Sequence, residues 1–358
     1  MSSPLTVVAL SGGVDSATAA GLLLEAGHRV VGMTMRLYDA GKTASSSGGR
    51  CCGPRDVEDA RAVAAHLGIP FYVMDYSDDF QRRVIDDFVS EYAAGRTPNP
   101  CVRCNEHIKF TPLLAAAKSL GAERLATGHY AQIVDTDGVL RLRRAVDGEK
   151  DQSYFLFNMP RAALPHVLFP LGVLRKEEVR AHAERMRLPN AAKAESQEIC
   201  FVPDGDHSGF VAARALVRPG VIRSESGEVL GHHEGVHRFT IGQRRGLGIA
   251  AAEPRYVTAI DATSGAVTLG SAASLYREAL FVDALSWAGP SPVGEVRASV
   301  QLRHRHVPQP ATVCFLPEGA RVRFDKPERA ITPGQAAVFY GGPTGDEVLG
   351  GGFIRASA

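Results

Sequence analysis

The feature that most constrains this chain is a short apolar run that ends in a glycine-rich turn, VVALSGGVDS at residues 7–16. The residues after the turn, 17–27, have helical spacing. A strand that breaks into Gly12 and Gly13 before a helix lets backbone amides and the amino terminus of the helix converge on one point. The pattern predicts a phosphate site, and hence a nucleotide, at the end of a buried strand.

The side chains of the turn agree with a phosphate site. Ser11 and Ser16 add hydroxyl donors, and the carboxylate of Asp15 is better suited to bind Mg²⁺ or accept a hydrogen bond than to contact phosphate. The alternative is an ordinary tight turn with a helix cap. The chain lacks G-x-x-x-x-G-K followed by Ser or Thr, and lacks G-x-G-x-x-G after the strand, which excludes two better-known nucleotide loops.

The six residues SGGVDS resemble the pyrophosphate loop of the N-type ATP pyrophosphatases. That resemblance implies an enzyme that splits ATP between the α and β phosphates and adenylates a carbonyl oxygen.

Composition limits the class of protein. With 358 residues, 45% of them apolar, the chain is long enough for two or three packed domains. The net charge is +1, so a polyanionic partner would have to be bound by a local basic patch. We find no signal-peptide pattern and no stretch of about 18 apolar residues, so we expect a cytoplasmic protein that does not span a membrane.

Apolar runs alternate with helical patterns over the first 200 residues or so, at 5–10, 30–35, 70–75 and 124–127. This alternation predicts an α/β domain in which helices cover a parallel sheet, with the ligand beyond the carboxyl ends of the strands. The segment from Ala40 to Gly53, rich in Gly and Ser, predicts a mobile loop.

After about residue 205, Gly and Pro separate short runs in which apolar and polar residues alternate, which predicts strands and hairpins. We therefore predict a pyrophosphatase-type domain at 1–208, a small connecting domain at 209–273 and a carboxy-terminal β-barrel or sandwich at 274–358.

Six cysteines in a reducing compartment favour reactive or metal-binding roles over structural disulfides. Cys314, inside the apolar run ATVCFL, is predicted to pack as a small hydrophobe.

The segment GRTPNPCVRCN at 95–105 carries the first reactive candidates. Its two prolines stiffen a turn before a helix predicted at 106–119. A thiol near that helix amino terminus and beside Arg103 should have a lowered pKa and act as a nucleophile. A zinc knuckle is the weaker alternative, because Cys51 and Cys52 do not supply the second C-x-x-C that it needs.

Cys200, in SQEICF, is a lone cysteine beside apolar residues, a setting typical of a protein core. The nucleotide loop and the first cysteine pair favour a reactive role instead, because thiol chemistry on an activated carbonyl needs one sulfur to deliver and another to resolve.

Seven motifs occur in the order found in the tRNA-specific 2-thiouridylases, and they run nearly from end to end: SGGVDS, TPNPCVRCN, ATGHYA, KDQSYFL, SQEICF, GQRRGLGI and TPGQAAVFY. The resemblance implies that ATP adenylates the C2 oxygen of the wobble uridine in tRNA. A protein persulfide then replaces that oxygen, giving 2-thiouridine, AMP and pyrophosphate. The implied cofactors are ATP and Mg²⁺. The implied partners are lysine, glutamate and glutamine tRNAs, bound at the anticodon loop, and a sulfur donor protein of a cysteine desulfurase relay.

The same resemblance implies roles for two cysteines. Cys200 would carry the persulfide, and Cys104 would be the nucleophile that attacks it. That attack would free sulfide for the activated carbon or close a Cys104–Cys200 disulfide as product leaves, so turnover would need a reductant.

The resemblance also implies three sets of binding residues. ATP would be bound by Ala9, Leu10, Ser11, Gly12, Gly13, Val14, Asp15, Ser16, Met35 and Gly128. The flipped target base would be held by Asn99, Pro100 and Cys101. The tRNA would contact His129, Lys150, Asp151, Gln152, Arg303, His304 and Gln335. Simpler alternatives stay open: an exposed Lys150–Asp151 ion pair, a solvated Arg303, and His129 as a cap at the end of a strand.

Two further groups of basic residues stand out. Arg244 and Arg245, in a glycine-flanked turn, are candidates for the RNA backbone, with an ordinary exposed turn as the alternative. The histidines His232, His233 and His237 lack the spacing of a metal site, so we predict that they lie on a hairpin surface.

The chain departs from the family pattern at Cys101, where many members have Asp. Together with Cys104 and Cys200 it makes a set of three thiolates that would suit a 4Fe-4S cluster holding an exogenous sulfide. The persulfide and cluster mechanisms both stay open, as do the roles of Cys51 and Cys52 and the oligomeric state.

Two other functions compete with tRNA thiolation. An ATP pyrophosphatase that delivers nitrogen would need neither Cys104 nor Cys200. An RNA-binding protein that merely retains the nucleotide loop would bind without releasing AMP.

Overall fold

The computed structural model describes residues 3–38, 54–194, 199–202, 205–288 and 294–358. The predicted loop from Ala40 to Gly53, with Cys51 and Cys52, lies outside the described residues, as do residues 196–198 of the Cys200 motif. The chain divides into two compact units. The first unit is Met1–Val84, Cys101–Gly205 and Asp346–Val348; the second is Ile85–Pro100, Asp206–Gly345 and Leu349–Ala358.

The first unit is built on a parallel sheet. Its strands are β1 (Leu5–Ala9), β2 (Arg29–Arg36), β3 (Phe71–Asp75), β4 (Arg124–Thr127), β5 (Gln132–Thr136), β6 (Val139–Arg143) and β7 (Val167–Leu168). Five of them pair in parallel in the order β3-β2-β1-β4-β7, while β5 and β6 form an antiparallel hairpin. In the central strand, β1, Val7 and Val8 are fully buried. The predicted α/β architecture is confirmed, with the glycine-rich turn at the carboxyl end of β1.

Helices cover this sheet and continue into the second unit. They are α1 (Val14–Glu25), α2 (Pro54–His66), α3 (Ser77–Phe80), α4 (Asp86–Ala93), α5 (Pro100–Cys104), α6 (Leu114–Ser119), α7 (Lys176–Arg185) and α8 (His207–Ala212). Among the described residues, π-helical segments lie at Gln81–Ile85 and Asn105–Leu113, and short 3₁₀ helices at Ser153–Phe155, Arg161–His166, Val236–Arg238 and Ala273–Leu275. Apolar residues of α1 and α2 pack on β1 to form one core, which includes Val14, Ala60 and Val63.

One helix boundary differs from the prediction. The helix expected to begin at Glu106 begins at Pro100, so Cys101 and Cys104 lie within the helix rather than in a loop before it. Proline fits this first position because the amide that it lacks has no partner within the helix there.

The second unit contains two β structures. The strands β8 (Gly220–Ser224), β9 (Val229–His233), β10 (Tyr256–Asp261) and β11 (Ala266–Gly270) form a sheet in the order β10-β11-β8-β9. The remaining strands are β12 (Tyr276–Trp287), β13 (Glu295–Gln301), β14 (Gln309–Leu316), β15 (Gly319–Arg329), β16 (Ala336–Gly341) and β17 (Glu347–Ser357). They follow the order β12-β15-β14-β13-β16-β17, and pairing of β12 with β17 closes them into the predicted barrel.

The barrel core comes from the alternate residues of its strands, among them Val313, Val322 and Phe339, all fully buried. The same alternation makes the prediction for Cys314 wrong. Because Val313 points inward, Cys314 points away from the core, where its Sγ donates a hydrogen bond to Glu295 Oε1 at 3.0 Å.

The prediction for the histidine group is wrong in part. His232 is exposed, but His233 and His237 are buried. The His233 Nε2 lies 3.0 Å from the carbonyl oxygen of Gly265, and its ring packs edge-on against Phe239. These two rings therefore lie in the interior of the second unit, next to the sheet of β8–β11, and not on a hairpin surface.

Candidate nucleotide and sulfur-transfer site

The glycine-rich turn is held by its own hydroxyl groups. Ser16 Oγ accepts a hydrogen bond from the Ser11 amide at 3.1 Å and donates one to the Gly13 carbonyl, also at 3.1 Å. Gly12 adopts a φ of 74°, in the left-handed region, and a Cβ there would lie 2.4 Å from the Asp56 carbonyl oxygen. Only glycine fits this position without moving the backbone.

The amino terminus of α1 opens from this turn. Gly13 precedes the helix in an extended conformation and, as a glycine, supplies no side-chain cap to the first-turn amides. The amides and the helix dipole therefore present partial positive charge at the end of β1, which favours an anion.

A second loop closes on the same helix terminus. Gly128, just after β4, approaches so closely that a Cβ on it would lie 2.6 Å from the Ser16 amide nitrogen and 2.8 Å from the Asp15 carbonyl carbon. Both neighbours are backbone atoms, so the position requires glycine for space rather than for φ.

These elements enclose a cavity of about 310 Å³, which we call the nucleotide cavity. Its lining includes every predicted ATP residue except Gly12, which lies behind the turn. Three predicted tRNA contacts also line it, His129, Lys150 and Gln152. The other lining residues are Met33, Asp56, Lys109, Thr127, Tyr130, Lys176, Lys193 and Ala194. Its volume lies at the lower end of the usual range for small-molecule sites.

Sequence reasoning missed the lysines Lys109, Lys176 and Lys193, which come from three separate segments of the chain. Lys176 Nζ donates to Asp15 Oδ1 at 2.7 Å, and the Tyr130 hydroxyl donates to the same oxygen at 2.9 Å. No motif marks these lysines, because the fold alone brings them to the turn. Together they make the cavity cationic, as a polyphosphate requires.

Lys193 fixes the back of the glycine-rich turn. Its Nζ donates to Asp56 at 2.8 Å, to Asp59 at 2.6 Å and to the Gly12 carbonyl at 3.2 Å. Desolvation acts against the charge, yet the hydrogen bonds that Lys193 donates to the two carboxylates raise its pKa above the ordinary value. The buried amide of Asn190 adds a hydrogen bond to the same Gly12 carbonyl at 3.0 Å.

His129 lies on the wall of the cavity. Its Nδ1 is 2.7 Å from Thr127 Oγ1 and its Nε2 is 3.4 Å from Lys109 Nζ. Burial, and then the positive charge of Lys109, lower the pKa of His129 well below its ordinary value. The imidazole is therefore neutral near pH 7.

Asp151 is committed to internal hydrogen bonds. Its carboxylate accepts from Arg144 at 2.9 Å, from the Ala145 amide at 2.9 Å and from the Ser153 hydroxyl at 2.7 Å, and the residue is 6% exposed. The alternative of an exposed Lys150–Asp151 pair is therefore wrong, and a tRNA contact by Asp151 stays a prediction. The neighbouring Gln152 Oε1 accepts from the Tyr130 amide at 3.0 Å.

The candidate cysteines of the first unit differ in exposure. Cys101 is exposed, while Cys104 and Cys200 are half-buried. The helix after Cys104 is anchored by Asn105, whose Nδ2 donates to the Phe155 carbonyl at 2.9 Å. Near Cys200, the Tyr38 hydroxyl donates to its carbonyl at 3.3 Å. Within the described parts of the chain, no group of three or more His, Cys, Asp or Glu side chains is placed to hold a metal ion.

In the second unit, the segment before α5 is clamped around Thr97. The Thr97 amide donates to the Pro333 carbonyl at 2.8 Å, and its hydroxyl donates to Thr240 Oγ1 at 3.1 Å. Gln335 Nε2 donates to the carbonyls of Thr97 and Pro98 at 2.9 and 3.2 Å. Gln335, a predicted tRNA contact, thus holds the backbone that leads to Asn99 and Pro100.

The other predicted tRNA residues of the second unit lie on loops. The Gln301 amide supports one loop by donating to the carbonyls of Arg303 and His304 at 3.1 and 2.7 Å. Arg303 is exposed and His304 half-buried, and Arg244 and Arg245 are both exposed.

Comparisons with known proteins agree with this architecture. Family models match residues 5–204 as a "tRNA methyl transferase HUP domain", 208–271 as a "tRNA methyl transferase PRC-barrel domain" and 277–354 as an "Aminomethyltransferase beta-barrel domain". No helix of the described residues is long and apolar enough to cross a membrane.

Curated relatives match nearly the whole chain. The tRNA-specific 2-thiouridylase MnmA of Geotalea uraniireducens is 49% identical, over 98% of this chain and 94% of its own length. The protein of the same name from Geobacter metallireducens is 50% identical, over 98% and 96%. Among solved structures, the NMN synthetase of Francisella tularensis covers 54% of this chain and 66% of its own, at 17% identity and a TM-score of 0.34. The two 2-thiouridylase matches place this chain in the family of tRNA-specific 2-thiouridylases, to which it belongs.

Proposed function

We propose that this chain is a tRNA-uridine 2-sulfurtransferase that adenylates the C2 oxygen of the wobble uridine and replaces it with sulfur from a cysteine persulfide. Membership of the 2-thiouridylase family supports the reaction class. The observation that supports ATP as the first substrate is the nucleotide cavity, where α1 amides without a side-chain cap from Gly13 and several lysines surround one glycine-rich turn.

Adenylation makes a poor leaving group into a good one. The uracil O2 forms a bond to the α-phosphorus of ATP while the bond from that phosphorus to the β-phosphate oxygen breaks, and pyrophosphate leaves. The amides of the turn, with Lys176 and Lys193, would bind the phosphates and offset the charge that develops on pyrophosphate. Mg²⁺ would bind at Asp15 and take its other ligands from phosphate and water, where it would polarise the phosphate oxygens.

Sulfur transfer would use both half-buried cysteines. The Cys104 thiolate attacks the inner sulfur of a Cys200 persulfide, which forms the Cys104–Cys200 disulfide and releases hydrosulfide. The hydrosulfide adds to the adenylated C2 carbon, and AMP leaves as 2-thiouridine forms. A thiol reductant then restores both cysteines. Cys104, the last residue of α5, keeps part of its surface exposed, which supports its role as nucleophile.

Residues of both units would serve tRNA recognition. We propose that Asn99, Pro100 and Cys101 surround the flipped base. The tRNA would contact His129, Lys150, Asp151, Gln152, Arg303, His304 and Gln335. We further propose the domain limits 1–208, 209–273 and 274–358, a cytoplasmic location, and as partners the lysine, glutamate and glutamine tRNAs and a persulfide-donating relay protein.

The cluster alternative rests on donor chemistry. Cys101, Cys104 and Cys200 have side chains of the type that 4Fe-4S clusters take as ligands, but the structure does not place these three described residues to hold a metal ion, so the alternative rests on side-chain type alone. Anaerobic purification with iron and labile sulfide analysis separates the two mechanisms. Activity of iron-free protein with a persulfide donor excludes the cluster, whereas a requirement for iron and for all three cysteines excludes the persulfide mechanism.

The central experiment follows AMP and 2-thiouridine in reactions with ATP, a persulfide donor and unmodified tRNA. Wild-type protein should release AMP and form 2-thiouridine only when tRNA is present. Cys104→Ser and Cys200→Ser should abolish 2-thiouridine, with Cys314→Ser on the barrel as the matched control. Full activity in both cysteine variants would favour nitrogen delivery, and tRNA binding without AMP would favour a binding protein.

A further inference from the structure

The second unit holds a cavity of its own, which we call the Arg218 pocket. Its volume is about 450 Å³. It is lined by residues 216–219, which precede β8, by residues 236–237 of a 3₁₀ helix, by residues 262–265, which join β10 to β11, and by Ala93. None of these residues lines the nucleotide cavity, so the pocket needs an explanation of its own.

The pocket combines a buried floor with a positively charged rim. Val236 and His237 are 8% and 5% exposed, whereas Arg218 and Thr263 are exposed. The described residues that line the pocket include Arg218 but no Asp or Glu side chain, and no described residue forms an ion pair with its guanidinium. A guanidinium in this setting matches the geometry and charge of a phosphate group.

The carboxylate of Asp261, at the end of β10, is engaged by the turn that follows it. It accepts hydrogen bonds from the amides of Thr263 and Ser264 at 3.0 and 3.4 Å. Those hydrogen bonds lower the pKa of Asp261 and compensate part of its charge. The Thr263 hydroxyl is not used in this turn and is available at the rim of the pocket.

His237 brings a neutral imidazole to the floor of the pocket. Its ring lies against Gly235, where a Cβ would be 2.4 Å from Nδ1 and 2.6 Å from Cε1, so the Nε2 edge is left for the pocket. The buried Nδ1 has no hydrogen-bond partner among the described residues. Burial lowers the pKa of His237, so the ring is neutral near pH 7. Because no partner at Nδ1 fixes the tautomer, Nε2 can donate to a hydroxyl group or accept from it.

These groups together fit one repeating unit of an RNA backbone. A phosphate needs the positive charge at the rim, and a ribose 2′-hydroxyl, which both donates and accepts, suits the neutral imidazole. The described lining holds no Phe, Tyr or Trp ring on which a base could stack, which favours the sugar and phosphate over the base.

We propose that the Arg218 pocket binds a phosphate of the tRNA backbone together with its ribose, with Arg218 on the phosphate and His237 and Thr263 on the sugar hydroxyl. The inference rests on the proposed function, which makes tRNA the substrate, and it adds a contact in the region of β8–β11. Contacts of this kind fix the register of the RNA without reading its sequence.

The test is equilibrium binding of unmodified tRNA to the full chain at several salt concentrations between 50 and 200 mM. Arg218→Gln should weaken binding by about three- to tenfold near 0.1 M salt. It should also reduce the slope of log K against log salt by about 0.7–0.9, the contribution of one phosphate contact. The matched control is Arg223→Gln, an exposed arginine on β8 outside the pocket lining, which should behave as wild type.

Variants of the neutral groups separate the sugar contact from the phosphate contact. His237→Leu and Thr263→Val should each weaken tRNA binding by about two- to tenfold, the loss of one hydrogen bond, and leave the salt slope unchanged. His237→Gln, whose amide still donates and accepts, should restore most of the affinity. Urea unfolding shows whether each variant is folded, and Thr263→Val, at an exposed position, keeps the test decisive if His237→Leu does not fold.

The proposal is overturned if Arg218→Gln matches Arg223→Gln in both affinity and salt slope. UMP, titrated in parallel, identifies the source of the phosphate. UMP binding that is lost in Arg218→Gln, with tRNA affinity unchanged, would assign the pocket to free nucleotides and overturn the RNA proposal. If wild type binds tRNA through Arg218 but forms no 2-thiouridine, thiolation fails as the function while the pocket assignment stands. If wild type does not bind tRNA, both fail.

Discussion

The nucleotide cavity of the first unit uses polar groups in the opposite way to the hydrogen-bonded segment around Thr97 in the second unit. We call that segment, with its partners Thr240, Pro333 and Gln335, the Thr97 clamp. In the cavity, the α1 amides receive no side-chain cap from Gly13 and several lysines face an enclosed space. Around Thr97, the amide, the carbonyl and the hydroxyl each form a hydrogen bond with a neighbouring side chain or backbone group. The cavity is arranged for a ligand, and the clamp is arranged to fix a segment of the chain.

This contrast changes the meaning of a motif residue. Gly128 and Gln335 both belong to motifs that the family resemblance connects with substrates. Gly128 makes room at an open helix terminus, whereas the Gln335 amide is engaged with the carbonyls of Thr97 and Pro98. A substitution in the cavity should therefore affect nucleotide affinity first, and one in the clamp should affect stability and the presentation of Asn99 first.

The largest effect is expected for Gly128→Ala. The new methyl group would meet the Ser16 amide nitrogen at 2.6 Å, and the backbone must shift at a cost of about 1–3 kcal/mol. Because this shift displaces the first turn of α1, ATP affinity should fall at least about tenfold by equilibrium binding. Gly148→Ala, with no atom within 4 Å of the new methyl, is the matched control. Equal ATP affinity in the two variants would show that the close contact between Gly128 and the Ser16 amide does not determine ATP binding.

Gln335→Leu should do the reverse of Gly128→Ala: it should lower stability and leave ATP affinity unchanged. Loss of its amide leaves the Thr97 and Pro98 carbonyls without this donor, so the free energy of unfolding should fall by about 1–3 kcal/mol. The rate of thiolation should fall with it, while ATP affinity stays at the wild-type value. Urea unfolding and ATP binding are the two measurements.

The control for this variant is Gln309→Leu, on the same barrel, whose amide donates to the exposed Val307 carbonyl at 3.0 Å. It should lose much less stability, because water can replace that hydrogen bond. A Gln335 variant with full stability but weak tRNA binding would show that the side chain serves the RNA and not the clamp.

The sequence predicted the fold and the glycine-rich turn well because both depend on local patterns. The alternation of apolar runs was enough for the parallel sheet, and Gly12 and Gly13 marked the turn at the end of β1. The helix boundary at Pro100 was missed because the prolines were interpreted as a turn, although proline is also a favoured first residue of a helix.

The remaining site residues could not be predicted, because tertiary structure selects them. Lys109 and Lys193 are more than 80 positions apart in the chain, and nothing in the local sequence marks either as a cavity residue. Likewise, the number of polar neighbours around Asp151 follows from how its loop folds back on Arg144. Hydrophobicity was a poor guide to burial at two positions: Cys314 faces outward because of its register on β14, and His237, in the 3₁₀ helix Val236–Arg238, is buried.

The smallest expected effect is the loss of stability of the second unit at low pH. It is a third test of the difference between the two units. Burial lowers the pKa of His233 and of His237 below the ordinary value of 6.5. Neither folded nor unfolded chain binds these protons above about pH 7, so stability is constant there. As the pH falls below 6.5, the unfolded chain takes up protons that the folded chain does not, and the free energy of unfolding should fall by at most about 1.4 kcal/mol per pH unit for each histidine.

Hydrogen exchange between pH 7 and pH 5.5 locates this loss, because it reports the opening of β8–β11 separately from that of β1–β4. His237→Gln should reduce the pH dependence in β8–β11 by about half, since one of the two buried rings is removed. His232→Gln, at the exposed neighbour, should leave it unchanged. An unchanged pH dependence in His237→Gln would mean that the buried rings of the small sheet do not titrate on unfolding. In the first unit His129 has the same sign of pH dependence, but a ligand in the nucleotide cavity should suppress it there and not in β8–β11, because His129 lines that cavity.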